Sequence, residues 1–259
     1  MSATTLQKYH HPLPLRALGF CGIDDSVHAE ILHMISASYP FVEWGVLFRP
    51  DKEGQPRYAT MEWVTKELYP EWRKGNGAMR LAAHLCGERV NEVLRGEGEF
   101  LTKLAELGFR RVQINATEVN GVDTDDLKGK AEVLRGLMGQ FGFLEFIIQR
   151  SDETEDLWKT LARANPPNMS MLFDESKGTG VLSSNGYPVP PPGYEVGYAG
   201  GIGPGNVRDV LEKALEAAKG RSVWIDMESS LRSELNGKDI FDLGKCYECV
   251  RKVKEMGLF

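Results

Sequence analysis

Only four cysteines occur in 259 residues, too few for the disulfide framework that holds small secreted domains together. No apolar run approaches the roughly 18 residues needed to span a bilayer. Residues 1–14 read as a polar tail carrying His10 and His11, without the apolar core of a secretory signal. Nor is there a long basic tract. The 31 Lys and Arg stand against 37 Asp and Glu, a formal net charge of −6 at pH 7, which argues against general nucleic-acid affinity. These absences imply a cytoplasmic protein with no membrane and no nucleic-acid partner.

No pattern in the sequence requires a metal or a nucleotide cofactor. His28 and His33 lack the i, i+4 spacing of a helical metal pair. Cys246 and Cys249 have the spacing of half a zinc or redox site, but no second pair completes it. Leu243, Cys246, Tyr247, Val250 and Val253 share one helical stripe, so Cys246 reads as core packing. Gly201-Ile202-Gly203 resembles part of a dinucleotide fingerprint but does not open a first βαβ unit.

What is present is 42% hydrophobic residues, enough for one large α/β core, ordered as strand-then-helix pairs. Strand candidates are 15–21, 42–48, 78–85, 111–114, 144–149, 169–173, 194–199 and 223–227. Helical periodicity follows each except 169–173. Val27, Ile31, Met34 and Ile35 keep helical spacing behind caps at Asp24, Asp25 and Ser26. A helix runs over 61–72, which Pro70 is expected to end or kink. One or two helices lie in 88–107, broken near Gly96 and Gly98. Further helices cover 125–138, 155–164, a stretch beginning near Pro204, and 239–255. Residues 175–193 are too rich in Gly, Ser and Pro for either element and form the longest loop. Eight strands in this strand-then-helix order predict a single closed parallel (β/α)8 barrel over 15–259, the TIM-barrel architecture, in preference to an open doubly wound sheet.

In such a barrel the reacting groups lie where strands run into the following loops. These ends offer Cys21, Arg49, His84 with Cys86, Gln113 with Asn115, Gln149, Asp174, Gly200-Gly201 and Asp226. After the seventh strand, the glycine pair leads through Pro204 into a helix with Val207, Val210, Leu211, Ala214, Leu215 and Ala218 on one face. Glycines allow close backbone approach, and a helix start offers free N–H groups to an anion. An ordinary tight strand-to-helix connection is the alternative.

The ordered motifs resemble those of the phosphoribosylanthranilate isomerase family. Phe20-Cys21-Gly22 stands where that family reads K-I-C-G, and Gln55-Pro56-Arg57-Tyr58 answers S-x-R-Y. Val112-Gln113-Ile114-Asn115-Ala116 answers V-Q-L-H-G, and Leu172-Phe173-Asp174 answers L-L-D. Gly200-Gly201-Ile202-Gly203-Pro204-Gly205-Asn206-Val207 answers G-G-L-x-P-E-N-V, and Ile225 to Arg232, then Gly237-Lys238-Asp239, answer the eighth-strand motif. The resemblance implies an acid–base isomerisation of a small phosphorylated sugar or sugar conjugate. Cys21 is then the general base, with a lowered pKa, and Asp174 the general acid. Arg57, Gln113 and Asn115 contact the substrate, and Gly200, Gly201, Ser229 and Ser230 hold its phosphate; His84, which with Cys86 is an addition to the family's pattern, is a further substrate contact offered by its strand end.

The chain also departs from that pattern. Gly19 replaces a lysine and Asn115 a histidine. Glu228-Ser229-Ser230 replaces Ser-Ser-Gly, and Arg232 a glutamate. A carboxylate at 228 repels a nearby phosphate unless it turns away. A relative that binds a small anionic ligand or a protein without catalysis is therefore the alternative function.

Overall fold

The computed structural model describes residues 14–174 and 187–259, so residues 1–13 of the tail and 175–186 of the long loop lie outside the described residues. The eight parallel strands are β1 (Leu15–Cys21), β2 (Val42–Phe48), β3 (Arg80–Leu85), β4 (Arg111–Ile114), β5 (Glu145–Arg150), β6 (Met169–Phe173), β7 (Glu195–Tyr198) and β8 (Val223–Met227). They pair in sequence order and β8 closes on β1, with Gly19 opposite Asp226. The expected barrel is the observed one. Among the described residues no helix is long and apolar enough to cross a membrane.

Closure gives each strand one face toward the helices and one toward the barrel interior. Outward residues such as Leu18, Phe20, Trp44, Val46, Ile114 and Ile148 pack against the helix ring in one large core. Inward, Ala17, Ile147, Leu172 and Trp224 form a small apolar plug. The Trp224 indole occupies the space beside Gly197, where a Cβ would stand 2.1 Å from the ring. Beneath it the Arg111 guanidinium lies 4.3 Å from the Trp224 ring centroid. Arg111 pairs with Glu43 and, at 3.0 Å, with Glu145, which Arg16 also grips at 2.6 Å. These groups all stand near the N-terminal ends of their strands, so charge seals that end.

Several expectations are corrected. Pro70 does not end its helix: the chain stays helical from Met61 to Lys74 through a π turn at Val64–Leu68. That wider turn precedes Pro70, leaving its missing N–H at the start of the next α turn. The first helix is Ala29–Ser38 and buries Ala29, Leu32 and Ser36, while Ile31 and Met34 are exposed. Ser36 points inward because its hydroxyl accepts a 2.9 Å bond from the Trp44 indole. The eighth helix is Leu243–Glu255, capped by Asp242. Before it, Arg232–Leu235 (β9) and Lys238–Phe241 (β10) form a hairpin turned at Asn236-Gly237, both at positive φ. An Asn-Gly turn signals such a hairpin. Cys246 is buried as expected, but Cys249 takes the inward place given to Tyr247, which is exposed.

The floor network makes a pH prediction. Burial alone raises the Glu145 carboxyl, but Arg111 and Arg16 beside it hold it down to about 2. A depressed carboxylate contributes stability above its unfolded value, near 4.5, and that stability is lost as pH falls through the folded value. Glu145→Gln is expected to cost up to about 3 kcal/mol at pH 7. In urea unfolding across pH 2–7, the difference from the parent should vanish at the acid end.

Candidate active site at the C-terminal mouth

The inward positions at the ends of β1, β3 and β8 bring three proton-carrying side chains together. Cys21 Sγ lies 3.3 Å from His84 Nδ1, and that nitrogen lies 3.9 Å from Asp226 Oδ2. Two glycines make the room. A Cβ on Gly45 would stand 2.8 Å from His84 Nε2 and 3.1 Å from Cys21 Cβ, and one on Gly19 would meet Asp226 Oδ1 at 2.7 Å. The Asp226 carboxylate thus takes space that any side chain at position 19 would contest.

His84 and Asp226 line a cavity of about 330 Å³, with Gln113, Asn115, Gln149 and Asp174, roofed by the turns after β7 and β8. Cys21, 1% exposed, lies behind His84. Gln149 donates to Asp174 Oδ2 at 3.1 Å. Gln113 donates to Asn115 Oδ1 at 2.8 Å, and Asn115 to Cys86 Sγ at 3.4 Å. A larger cavity, about 800 Å³, opens at the opposite end around Arg16, Glu43, Arg111 and Glu145. Ion pairs already occupy those charges.

The mouth is electrostatically opposed to charge. Burial, then Asp226 and Glu228, push the Cys21 thiol up, and burial pushes Cys86 up to about 12. Burial, then Arg111, drive His84 down to about 3. Burial, then Glu43 and Glu228, raise Asp226. A lowered thiol at Cys21 is therefore corrected: among the described residues no cation offsets the loss of water around the sulfur.

The two turns expected to hold phosphate stand over the cavity. Gly200 and Gly201 both adopt positive φ, and their amides meet no acceptor among the described residues. Ser229 and Ser230 open a short 3₁₀ turn, whose first N–H groups have no partner within it. The Ser230 hydroxyl, however, donates to the Ile202 carbonyl, tying the two turns together. Pro204 precedes the helix instead of standing in its first turn; the helix begins at Val207. Asn206 spends its side chain on the loop, accepting from Gly203 N and donating to Gly201 O, each at 2.8 Å.

Arg57 is the expected ligand contact that the fold turns elsewhere. Its guanidinium donates to Glu228 Oε1 at 2.9 Å and is not among the cavity-lining residues. Its backbone N–H donates to Asp24 Oδ2 at 2.5 Å. Arg232 joins the same network, 2.8 Å from both Asp24 and Asp239. Glu228, Asp226 and Gln149 hold places in the cavity wall that the family pattern does not single out. Gln149 and Asp226 are legible as strand ends, and Glu228 as a departure from the motif after the eighth strand.

No protein-family model matches the chain, and no curated protein matches it. Among solved structures it is similar to dihydrodipicolinate synthase from Agrobacterium tumefaciens, at 13% identity over 83% of this chain and 69% of that one, with a TM-score of 0.50. It also aligns with a 2,3-dimethylmalate lyase of the PEP mutase/isocitrate lyase superfamily, at 11% identity over 94% and 80% of the two chains, with a TM-score of 0.49. At 13% identity the first likeness is one of fold: the chain is a (β/α)8 barrel.

Gly45→Ala tests the packing of the mouth. The added methyl must displace His84 or the Cys21 backbone, at an expected cost of about 1–3 kcal/mol. Gly136, helical and with nothing near its Cβ position, is the control, and its change to alanine is expected to add about 0.5–1 kcal/mol. Urea midpoints for both variants decide it. A Gly45→Ala protein as stable as the parent would place the imidazole elsewhere.

Proposed function

We propose that the C-terminal mouth binds a small phosphorylated sugar or sugar conjugate and isomerises it by proton transfer, in the manner of phosphoribosylanthranilate isomerase. One observation carries the reading. A carboxylate held by Gln149 and the Cys21–His84–Asp226 cluster meet around one polar cavity, roofed by two turns with backbone amides to offer. The amides of Gly200, Gly201, Ser229 and Ser230 take the phosphate, as glycine turns and short helix starts do. Asp174 delivers a proton to the sugar ring oxygen as the ring opens to an iminium. The Cys21–His84 side accepts the proton from the adjacent carbon, giving an enolamine that becomes the ketone. An iminium brings positive charge to a place that otherwise has none, and a nearby cation favours the thiolate.

The Arg57–Glu228 pair favours a second reading, ligand binding without turnover. The arginine that the resemblance assigns to a substrate carboxylate is held by a protein carboxylate. The two readings separate in deuterium oxide with phosphoribosylanthranilate and other phosphorylated aldose conjugates as probes. Isomerisation removes the C2 proton and incorporates deuterium at C1 of the product, whose C2 has become the ketone, and Asp174→Asn or Cys21→Ser is expected to slow it by about 10²–10⁴-fold. Thermal stabilisation by a probe without exchange supports binding alone. With phosphoribosylanthranilate itself the parent is expected to be poor. It should fail to rescue a tryptophan auxotroph lacking the isomerase, whereas Glu228→Ser with Ser230→Gly, which frees Arg57 and relaxes the roof, should restore growth. Growth with the unmodified chain overturns the importance given to Glu228.

A further inference from the structure

We propose that Cys21, His84 and Asp226 form a three-ligand site for a divalent cation of the zinc class, its fourth position open to the mouth cavity. The inference shares the cavity of the isomerase reading but not the role given there to Cys21. Cys21 Sγ and His84 Nδ1 are 3.3 Å apart, His84 Nδ1 and Asp226 Oδ2 are 3.9 Å apart, and all three donor atoms lie within 4.8 Å of one another. A tetrahedral ion with bonds of about 2.0–2.3 Å spaces its ligand atoms by about 3.3–3.8 Å. Two of the three separations therefore stand close to a bound geometry before any ion arrives. Sulfur, imidazole nitrogen and carboxylate oxygen are also the donor types that zinc combines.

The placement favours an open site over a closed structural one. The ligands come from three strands, β1, β3 and β8, whose registers fix their spacing. Gly19 and Gly45 leave the imidazole and carboxylate room to converge. His84 and Asp226 reach the cavity wall, whereas Cys21 is covered. An ion held among them keeps one face toward the cavity, as catalytic zinc does.

A second observation in the same cavity points to a bound donor. Gln149 is 1% exposed; its Nε2 is used by Asp174, and its Oε1 is buried with no partner among the described residues. A buried acceptor left unpaired keeps the full cost of its lost hydration. Water on the open metal position, or a substrate hydroxyl replacing it, supplies a donor. Binding forms three metal–ligand bonds and releases the thiol proton, with any proton on Asp226, to solvent. No electron moves. The ion then offers a Lewis acid and an activated water where a buried thiol alone is a poor base.

The full chain, stripped with a chelator and titrated with cobalt(II), tests this. Expected are one equivalent per chain, thiolate-to-cobalt charge-transfer absorption and displacement by zinc. Cys21→Ser should abolish the charge-transfer band, and Asp226→Asn, of nearly the same shape, should weaken binding at least tenfold. Cys86→Ser should retain the band. If Cys21→Ser fails to fold by circular dichroism, Asp226→Asn decides. No band in the folded parent, a band that survives Cys21→Ser, or unchanged affinity in Asp226→Asn overturns the site. The deuterium-exchange assay stands apart: cobalt binding without exchange removes the isomerase reading alone, and exchange by a chain that binds no cobalt removes the metal alone.

Discussion

The alternation of side chains along a strand, once the sheet closes, is the constraint from which the rest of this structure follows. Each inward residue is two positions from the next, so fixing one residue per strand fixes all of them. Trp224 inward puts Asp226 and Glu228 inward; Ala17 inward puts Gly19 and Cys21 inward. Arg111 at the floor likewise carries Gln113 and Asn115 to the mouth. A single register slip in any strand would exchange these groups for the Leu18, Trp44 and Val46 face that packs on the helices. The hydrophobic cost of that exchange, about 1.5–3 kcal/mol for each large side chain exposed, protects the mouth geometry.

Charge is partitioned between the two ends of the barrel. At the floor, Arg111 neutralises Glu43 and Glu145 across an apolar plug, and Trp224 lies against its guanidinium. At the rim, Asp24, Arg57, Glu228, Arg232 and Asp239 link the loops after β1, β2 and β8 to the hairpin. Arg232 also donates to the Gly22 carbonyl at 2.9 Å, tying the residue after Cys21 to the hairpin. Buried ion pairs are weak sources of net stability, but removing one partner is costly. Their consequence here is positional: loops that would otherwise move independently are joined at one edge of the mouth.

Much of the barrel was legible because its signals are local. The strands 169–173 and 223–227 and the helix 155–164 appear where periodicity puts them, and Val207, Val210, Leu211, Ala214 and Ala218 bury the expected face. The errors arise where a partner distant in sequence decides. Ser36 turns inward for the Trp44 indole, and Pro70 is accommodated by a π turn that periodicity does not encode. The mouth divides in the same way. Strand ends pointed to Cys21, His84, Gln113, Asn115 and Asp174, but not to the Cys21–His84–Asp226 contact, whose members are separated by 63 and 142 positions. No spacing motif can express it. Arg57 shows the converse: its place in a motif was legible, and its capture by Glu228, 171 positions away, was not.

Gly19 and Glu228 belong to one electrostatic arrangement. Glycine at position 19 puts no side chain beside the thiol and leaves room for Asp226. Glu228 then adds a second carboxylate to the same wall, and Arg57 turns to it. Burial first, and then the neighbouring carboxylates, drive the thiol and Asp226 toward their neutral forms, since little water is left to solvate or screen their charges. A mouth arranged this way suits a guest that carries positive charge itself, whether an iminium formed on a bound sugar or a divalent ion. The free amides of the roof, on the opposite side of the electrostatic balance, suit an anion. The site is therefore polarised across its cavity, with proton-carrying acids on the wall and backbone N–H groups above, and a ligand bearing phosphate at one end and developing positive charge at the other satisfies both.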